Sequence, residues 1–211
     1  MLTREDLDAP TVGWSPVSSE AAGTKRWSNA AGDLLSMDFF SIAPDLPSAV
    51  HEIEPIRALY RTQLGDHGAI VEVEPVEVGS IAAVRAIFKF PQSPTGMTYL
   101  GALTIPFRAC SFVLKWQCPE RGITGARDAT VFALVKPAVD TQGQILDWLQ
   151  DPYLPTHRAR CLRNRADDPR WDAQFPNHPL SRVRSYLADL SSIRLSERAA
   201  REPPFSAPHQ A

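Results

Sequence analysis

Apolar and polar positions alternate most cleanly between Cys110 and Cys118. Cys110, Phe112, Leu114, Trp116 and Cys118 share one parity, and Ser111, Val113, Lys115 and Gln117 take the other. Successive side chains on a strand face opposite ways, so this is a strand with one buried face and a mostly wet back, as in antiparallel sheet. Residues 99–105 precede it across the turn Pro106-Phe107-Arg108-Ala109, which predicts a hairpin at the centre of the fold. Two shorter strands, 25–28 and 34–40, flank Asn29-Ala30-Ala31-Gly32-Asp33, a glycine-containing connection. Ile53, Ile56, Leu59, Tyr60 and Leu64 then recur at helical spacing. Pro55 is tolerated only in a first turn, so the helix is expected over 54–64, with Gly65 as its cap.

Residues 70–78 alternate again, but Pro75 removes a ladder donor and predicts an edge strand or a bulge, guarded by Glu72, Glu74 and Glu77. In 81–90, Ala82, Val84, Ala86, Phe88 and Phe90 form one face, while Arg85 and Lys89 point the other way. Gly122-Ile123-Thr124-Gly125 turns the chain into an apolar helix over 126–136. Thr141-Gln142-Gly143-Gln144 has the form of a capping box ahead of Ile145, Leu146, Trp148 and Leu149. Residues 151–178 lack periodicity and read as an irregular connector. From Pro179, Leu180, Val183, Leu187 and Leu190 return to helical spacing, with Pro179 at the first helical position.

These elements predict an α+β fold: a largely antiparallel sheet with helices packed against it, over residues 24–137. Residues 1–23 are expected to be a loosely ordered lead-in. Residues 138–201 form an arginine-rich helical and irregular extension, packed on the domain or on a second copy in a homodimer. Residues 202–211, with Pro203, Pro204 and Pro208, are expected to be a disordered tail.

Composition narrows the class without naming a chemistry. The chain has 211 residues, 44% of them hydrophobic and 22% charged, with a net charge of −2, as in ordinary soluble proteins. No apolar run approaches the roughly 20 residues of a membrane helix, so no membrane insertion is expected. The acidic N-terminus does not read as a secretory signal, and the expected compartment is the cytoplasm. Cys110 and Cys118 lie about 26 Å apart at ~3.3 Å per residue on one strand, beyond the reach of a disulfide. With Cys161 they read as free thiols of a reducing compartment.

The order of elements, together with Trp27, the Asn29–Asp33 turn, Tyr99-Leu100-Gly101 and the Glu120–Gly125 entry into a helix, resembles the α/β/α-sandwich superfamily named for PsbP. The resemblance covers residues 24–137. It implies a PsbP-like sandwich and, because members mostly bind or scaffold other proteins, a bacterial adaptor or chaperone role without catalysis. It transfers no site residues, since members share shape more than a site.

Candidate chemistry is thin. Gly96-Met97-Thr98-Tyr99-Leu100-Gly101 lacks the Lys-Ser/Thr of a phosphate loop and precedes a strand. There is no Gly-x-Ser-x-Gly elbow. The five histidines never take helical ligand spacing; a metal site would have to assemble from Asp151, His157, Asp172 or His178, and neither metal nor cofactor is expected. Residues 157–201 hold ten arginines against five acids, whereas residues 1–90 hold seven Lys/Arg against thirteen acids. Interspersed acids, a pI near 6.2 and few stacking aromatics argue against nucleic acid. They favour pairing with the acidic half or with an acidic protein partner. The expected function is therefore protein binding through Arg170, Trp171, Phe175, Arg182 and Arg184, with Glu120 and Arg127 at the second helix entrance. The alternative is a ligand binder or enzyme with a pocket between sheet and helices, lined by Tyr60, Tyr99 and Trp116.

Overall fold

In the computed structural model, which describes residues 1–18 and 24–206, the alternation at 110–118 becomes a strand, Ser111–Pro119, fourth of seven in one antiparallel sheet. In chain order the strands are β1 (Leu7–Asp8), β2 (Ser15–Val17), β3 (Thr24–Ser28), β4 (Leu34–Phe40), β5 (Ala69–Val78), β6 (Ile81–Pro91), β7 (Met97–Pro106), β8 (Ser111–Pro119) and β9 (Arg194–Leu195). The helices are α1 (Ile53–Leu64), α2 (Ala126–Val135), α3 (Pro179–Ala188) and a single turn, α4 (Glu197–Ala200). The large sheet runs β2-β3-β4-β8-β7-β6-β5, while β1 and β9 pair separately. The expected α+β architecture with a largely antiparallel sheet and packed helices is therefore present.

Two cores lie on opposite faces of the sheet. The first takes the buried parity of β8 together with Leu35, Met37, Tyr99 and Leu103, and α3 closes it with Leu180, Val183 and Leu187. These three side chains are essentially buried, and each such burial contributes about 1.5–3 kcal/mol. The second core gathers Ile70, Val73, Val84, Ala86 and Phe88 under Ile56 and Tyr60 of α1. Helix α3 reaches the sheet closely because Gly101 has no side chain: a Cβ there would lie 2.7 Å from Val183 Cγ1.

β5 lies at the edge of the sheet, one of the two outcomes Pro75 predicts, and its register shift falls between Ile70 and Glu72, away from Pro75. The outward amide and carbonyl of Val73 are plugged from outside the sheet. The Val73 amide donates to the Tyr153 hydroxyl at 2.7 Å, and Arg57 donates to the Val73 carbonyl at 2.9 and 3.0 Å. The Arg57 guanidinium also lies 3.6 Å above the Tyr153 ring. Burial and the adjacent Glu74 carboxylate push the Tyr153 phenol up to about 12, so it remains a neutral hydroxyl that bridges Val73 and Glu74.

Four expectations need correction. Residues 141–149 are not helical. The Asp140 carboxylate collects the amides of Gln142 and Gln144, and Val139 bridges Ile145, so local side-chain hydrogen bonds outcompete the capping box. Lys89 does not face water but is 2% exposed, because the extension covers that face of β6. Glu72 and Glu74 are not free guards of the edge, since they pair with Arg184 and Arg57. Within the described part of the lead-in, Leu2 and Leu7 are buried in the first core, β1 pairs with β9, and β2 joins the sheet. Of the tail, Pro204 bridges Phe107, and residues 207–211 lie outside the described residues.

Candidate functional site

A cleft of about 380 Å³ opens where three segments meet: the β3–β4 turn, the stretch from Pro119 to Ala126, and the approach to α3 from Gln174 to Arg182. Four of the residues singled out in the sequence line it, namely Glu120, Arg127, Phe175 and Arg182. Each is held by a distinct part of the fold.

Glu120 stands just past β8 and is 8% exposed. One carboxylate oxygen accepts from the Met97 amide at 2.8 Å; the other accepts from the Gly125 amide at 3.1 Å and lies 3.4 Å from His178 Nε2. His178 caps α3, its Nδ1 accepting from the Leu180 amide at 3.2 Å. A nitrogen that accepts carries no proton, so the neutral ring's hydrogen sits on Nε2, facing Glu120. Burial works to raise the Glu120 carboxyl, and the His178, Gly125 and Met97 contacts outweigh it, so the group sits below the usual carboxylate range.

Asp33, fully buried at the end of the β3–β4 turn, takes a two-pronged contact from Arg182 at 2.7 and 2.8 Å and a third bond from the Tyr186 hydroxyl at 2.8 Å. Burial again opposes ionisation, and the Arg182 and Tyr186 bonds prevail, leaving Asp33 below its ordinary value. The signal for this partnership was present in the sequence: Arg182 and Tyr186 lie four apart on one helical face. Their partner, 149 residues earlier, carried none.

Arg127 is 1% exposed and spends its guanidinium on the Ala166 and Asp168 carbonyls, Ser181 Oγ and the Asp172 carboxylate, at 2.7–3.1 Å. The Phe175 ring centre lies 5.8 Å from its Cζ. What the cleft leaves open is Ile123, 88% exposed, with Phe175, Pro176 and Arg121. Arg121 rests against Gly32, at φ +77°, and donates to its carbonyl at 3.1 Å.

Arg170, Trp171 and Arg184 are not brought to this cleft. Arg184 lies beneath the extension, bonded to Glu72 at 2.6 Å and to Asp172 at 3.0 Å. Arg170 sits over the Trp171 ring at 5.0 Å, beside a different depression. Tyr60, Tyr99 and Trp116 do not share a pocket: Tyr99 and Trp116 are packed in the first core, while Tyr60 lies across the sheet, where with Leu59, Thr104 and Val113 it lines a separate cavity of about 380 Å³ between α1 and the sheet. Asp151 is bound by Arg61 and Asp172 by Arg127 and Arg184; among the described residues no group of three potential ligands is arranged to hold a metal. The three cysteines are buried free thiols, and burial pushes Cys118 far up, leaving it unreactive. No helix among the described residues is long and apolar enough to cross a membrane.

Asp33 and Glu120 both have lowered folded values, so the stability they contribute is present above the ordinary carboxylate range and is lost as pH falls through those values. Urea midpoints are expected to be flat above about pH 5 and to fall steeply below about pH 4. Asp33→Asn should be less stable at neutral pH and should show a shallower acid decline. An equally steep decline in that variant would separate Asp33 from the acid transition.

No protein-family model matches the chain, and no curated protein matches it either. Solved structures similar in arrangement include a Bacteroides thetaiotaomicron protein (10% identity, TM-score 0.38), covering 58% of this chain and 41% of that one. They also include the Saccharomyces cerevisiae Ran-binding protein Mog1p (10% identity, TM-score 0.39; 59% and 74% covered). A third is PsbP (CyanoP) from Synechocystis (12% identity, TM-score 0.34; 59% and 77% covered). PsbP itself is thus among the structural neighbours, as the element order suggested. With every TM-score below 0.5, these likenesses transfer no activity to this chain.

Proposed function

We propose that the protein is a non-catalytic protein-binding module of bacterial adaptor or chaperone type, which seats an apolar side chain of its partner against Ile123 and Phe175. One observation carries this reading: the buried charged groups that converge on the cleft, Glu120, Arg127 and Arg182, are engaged by the protein itself, while its apolar rim is open. A general acid or base must exchange a proton with a substrate. Glu120 is instead surrounded by two amides and His178, and Arg182 and Arg127 are tied to internal acceptors. An exposed Ile beside an aromatic ring and Arg121 has the make-up of an interface centre, where apolar anchors and arginine dominate the energetics.

The test is affinity capture with the intact chain and with Ile123→Asp, followed by mass spectrometry of what is retained. Ile123 is exposed, so the variant should match the wild-type thermal midpoint while losing the specific partner. Equal recovery by both proteins would overturn the assignment of the cleft.

A further inference from the structure

Seven of the ten arginines of residues 157–201 fall into two sets. Arg182, Arg184 and Arg198 are spent on Asp33, Glu72 and Asp6 of the acidic half, and Arg201 on Glu197. Arg163 and Arg165 have no carboxylate within ion-pair distance among the described residues, and Arg170 has only Asp168, at 3.9 Å. These three line one depression of about 190 Å³, together with Trp148, Asp147 and Asp168.

The backbone beneath them is fixed. Gln150 donates to the Arg163 carbonyl at 2.8 Å, Arg165 donates to the Trp148 carbonyl at 3.1 Å, and Leu149 bridges Asn164. This is a short antiparallel ladder, so Arg163 and Arg165 leave the same face while Asn164 turns inward to bond Asp128 at 2.8 Å. Trp171 Nε1 donates to the Arg165 carbonyl at 3.1 Å and holds the Arg170 turn alongside.

We infer that this depression is a docking site for an extended acidic segment of a partner protein, whose alternate carboxylates pair with Arg163 and Arg165. Residues i and i+2 of an extended chain lie about 6.6 Å apart on either side of such a pairing, so two carboxylates meet two guanidiniums in register. Guanidinium and carboxylate match in fork geometry. A nucleic acid strand fits less well. Asp147 and Asp168 stand among the arginines, and neither indole is open for base stacking: Trp148 packs edge-on to Phe132 at 4.9 Å, and Arg170 covers Trp171. The site is separate from the Ile123 cleft and does not depend on it.

The experiment is fluorescence anisotropy of the full chain with three labelled probes of equal length: a peptide of alternating Glu and Ser, an all-Ser peptide, and oligothymidylate. The acidic peptide is expected to bind, with affinity falling as salt rises, and the all-Ser peptide is not. R163Q/R165Q should weaken binding by about tenfold or more, with circular dichroism unchanged, and Ile123→Asp should leave it intact. Absence of acidic-peptide binding, equal binding by the double variant, or tighter binding of the oligonucleotide would each overturn the inference.

Discussion

Asp167→Asn is expected to cost about 3–5 kcal/mol of folding stability, read as a lowered urea midpoint at neutral pH. Lys89 and Asp167 face each other at 2.6 Å with 2% and 1% of their side chains exposed. The Asp167 carboxylate also accepts from Tyr99 at 3.1 Å and from the Asn164 amide at 2.9 Å. Burial pushes this carboxyl up, but Lys89 and those two donors hold it ionised below its usual range. Neighbouring Asp128 is pushed the opposite way, by burial and by the Asp167 charge. Removing the Asp167 charge leaves the buried Lys89 ammonium without its ion-pair partner, and Asp128 is the remaining carboxylate whose charge reaches it. The double variant Lys89→Met with Asp167→Asn should recover much of the loss, since the penalty comes from the stranded charge rather than from the absence of a pair. A double variant no more stable than Asp167→Asn would show that the cost lies elsewhere in the Asn164–Asp167 turn.

Gly101→Ala should destabilise by about 1–3 kcal/mol, unusually for a change that adds only a methyl group. The new Cβ would sit 2.7 Å from Val183 Cγ1 and 2.9 Å from Leu187 Cδ1, so α3 must lift or both side chains must leave their rotamers. Val183→Ala alone opens a cavity and also destabilises. Combined, the added methyl fills part of the vacated space, and the two costs should sum to more than the double variant shows. A thermal or urea double-mutant cycle measures that coupling. Strict additivity would mean that Gly101 does not set the height of α3 above the sheet.

Much of this architecture was legible because it is written in local periodicity. The alternation of Cys110 to Cys118, the Asn29–Asp33 turn, Pro55 in a first helical turn and Pro179 at a helix start each have a near-neighbour physical cause. What escaped was long-range. Lys89 reads as a solvent-facing residue until a carboxylate 78 positions away covers it, and no spacing rule links the two. Apart from Arg85, residues 81–88 are apolar on both parities, the texture of a strand covered on both faces. The Thr141–Gln144 pattern failed for the opposite reason: Asp140, one residue upstream, competes for the same amides. At the candidate site, Glu120, Arg127, Phe175 and Arg182 were recognised as polar or aromatic landmarks. Their convergence, and the role of His178 as the group joining helix start to carboxylate, followed only from the fold.

The capped flank of β5 has a consequence for self-association. A sheet grows into a fibre only by offering two open sides, each accepting the next copy's strand. Here Tyr153 and Arg57 engage the amide and carbonyl of Val73 on one side, and β2, three exposed residues long, forms the other edge among the described residues. A strand adding to β5 would first have to displace Tyr153 and Arg57 from Val73.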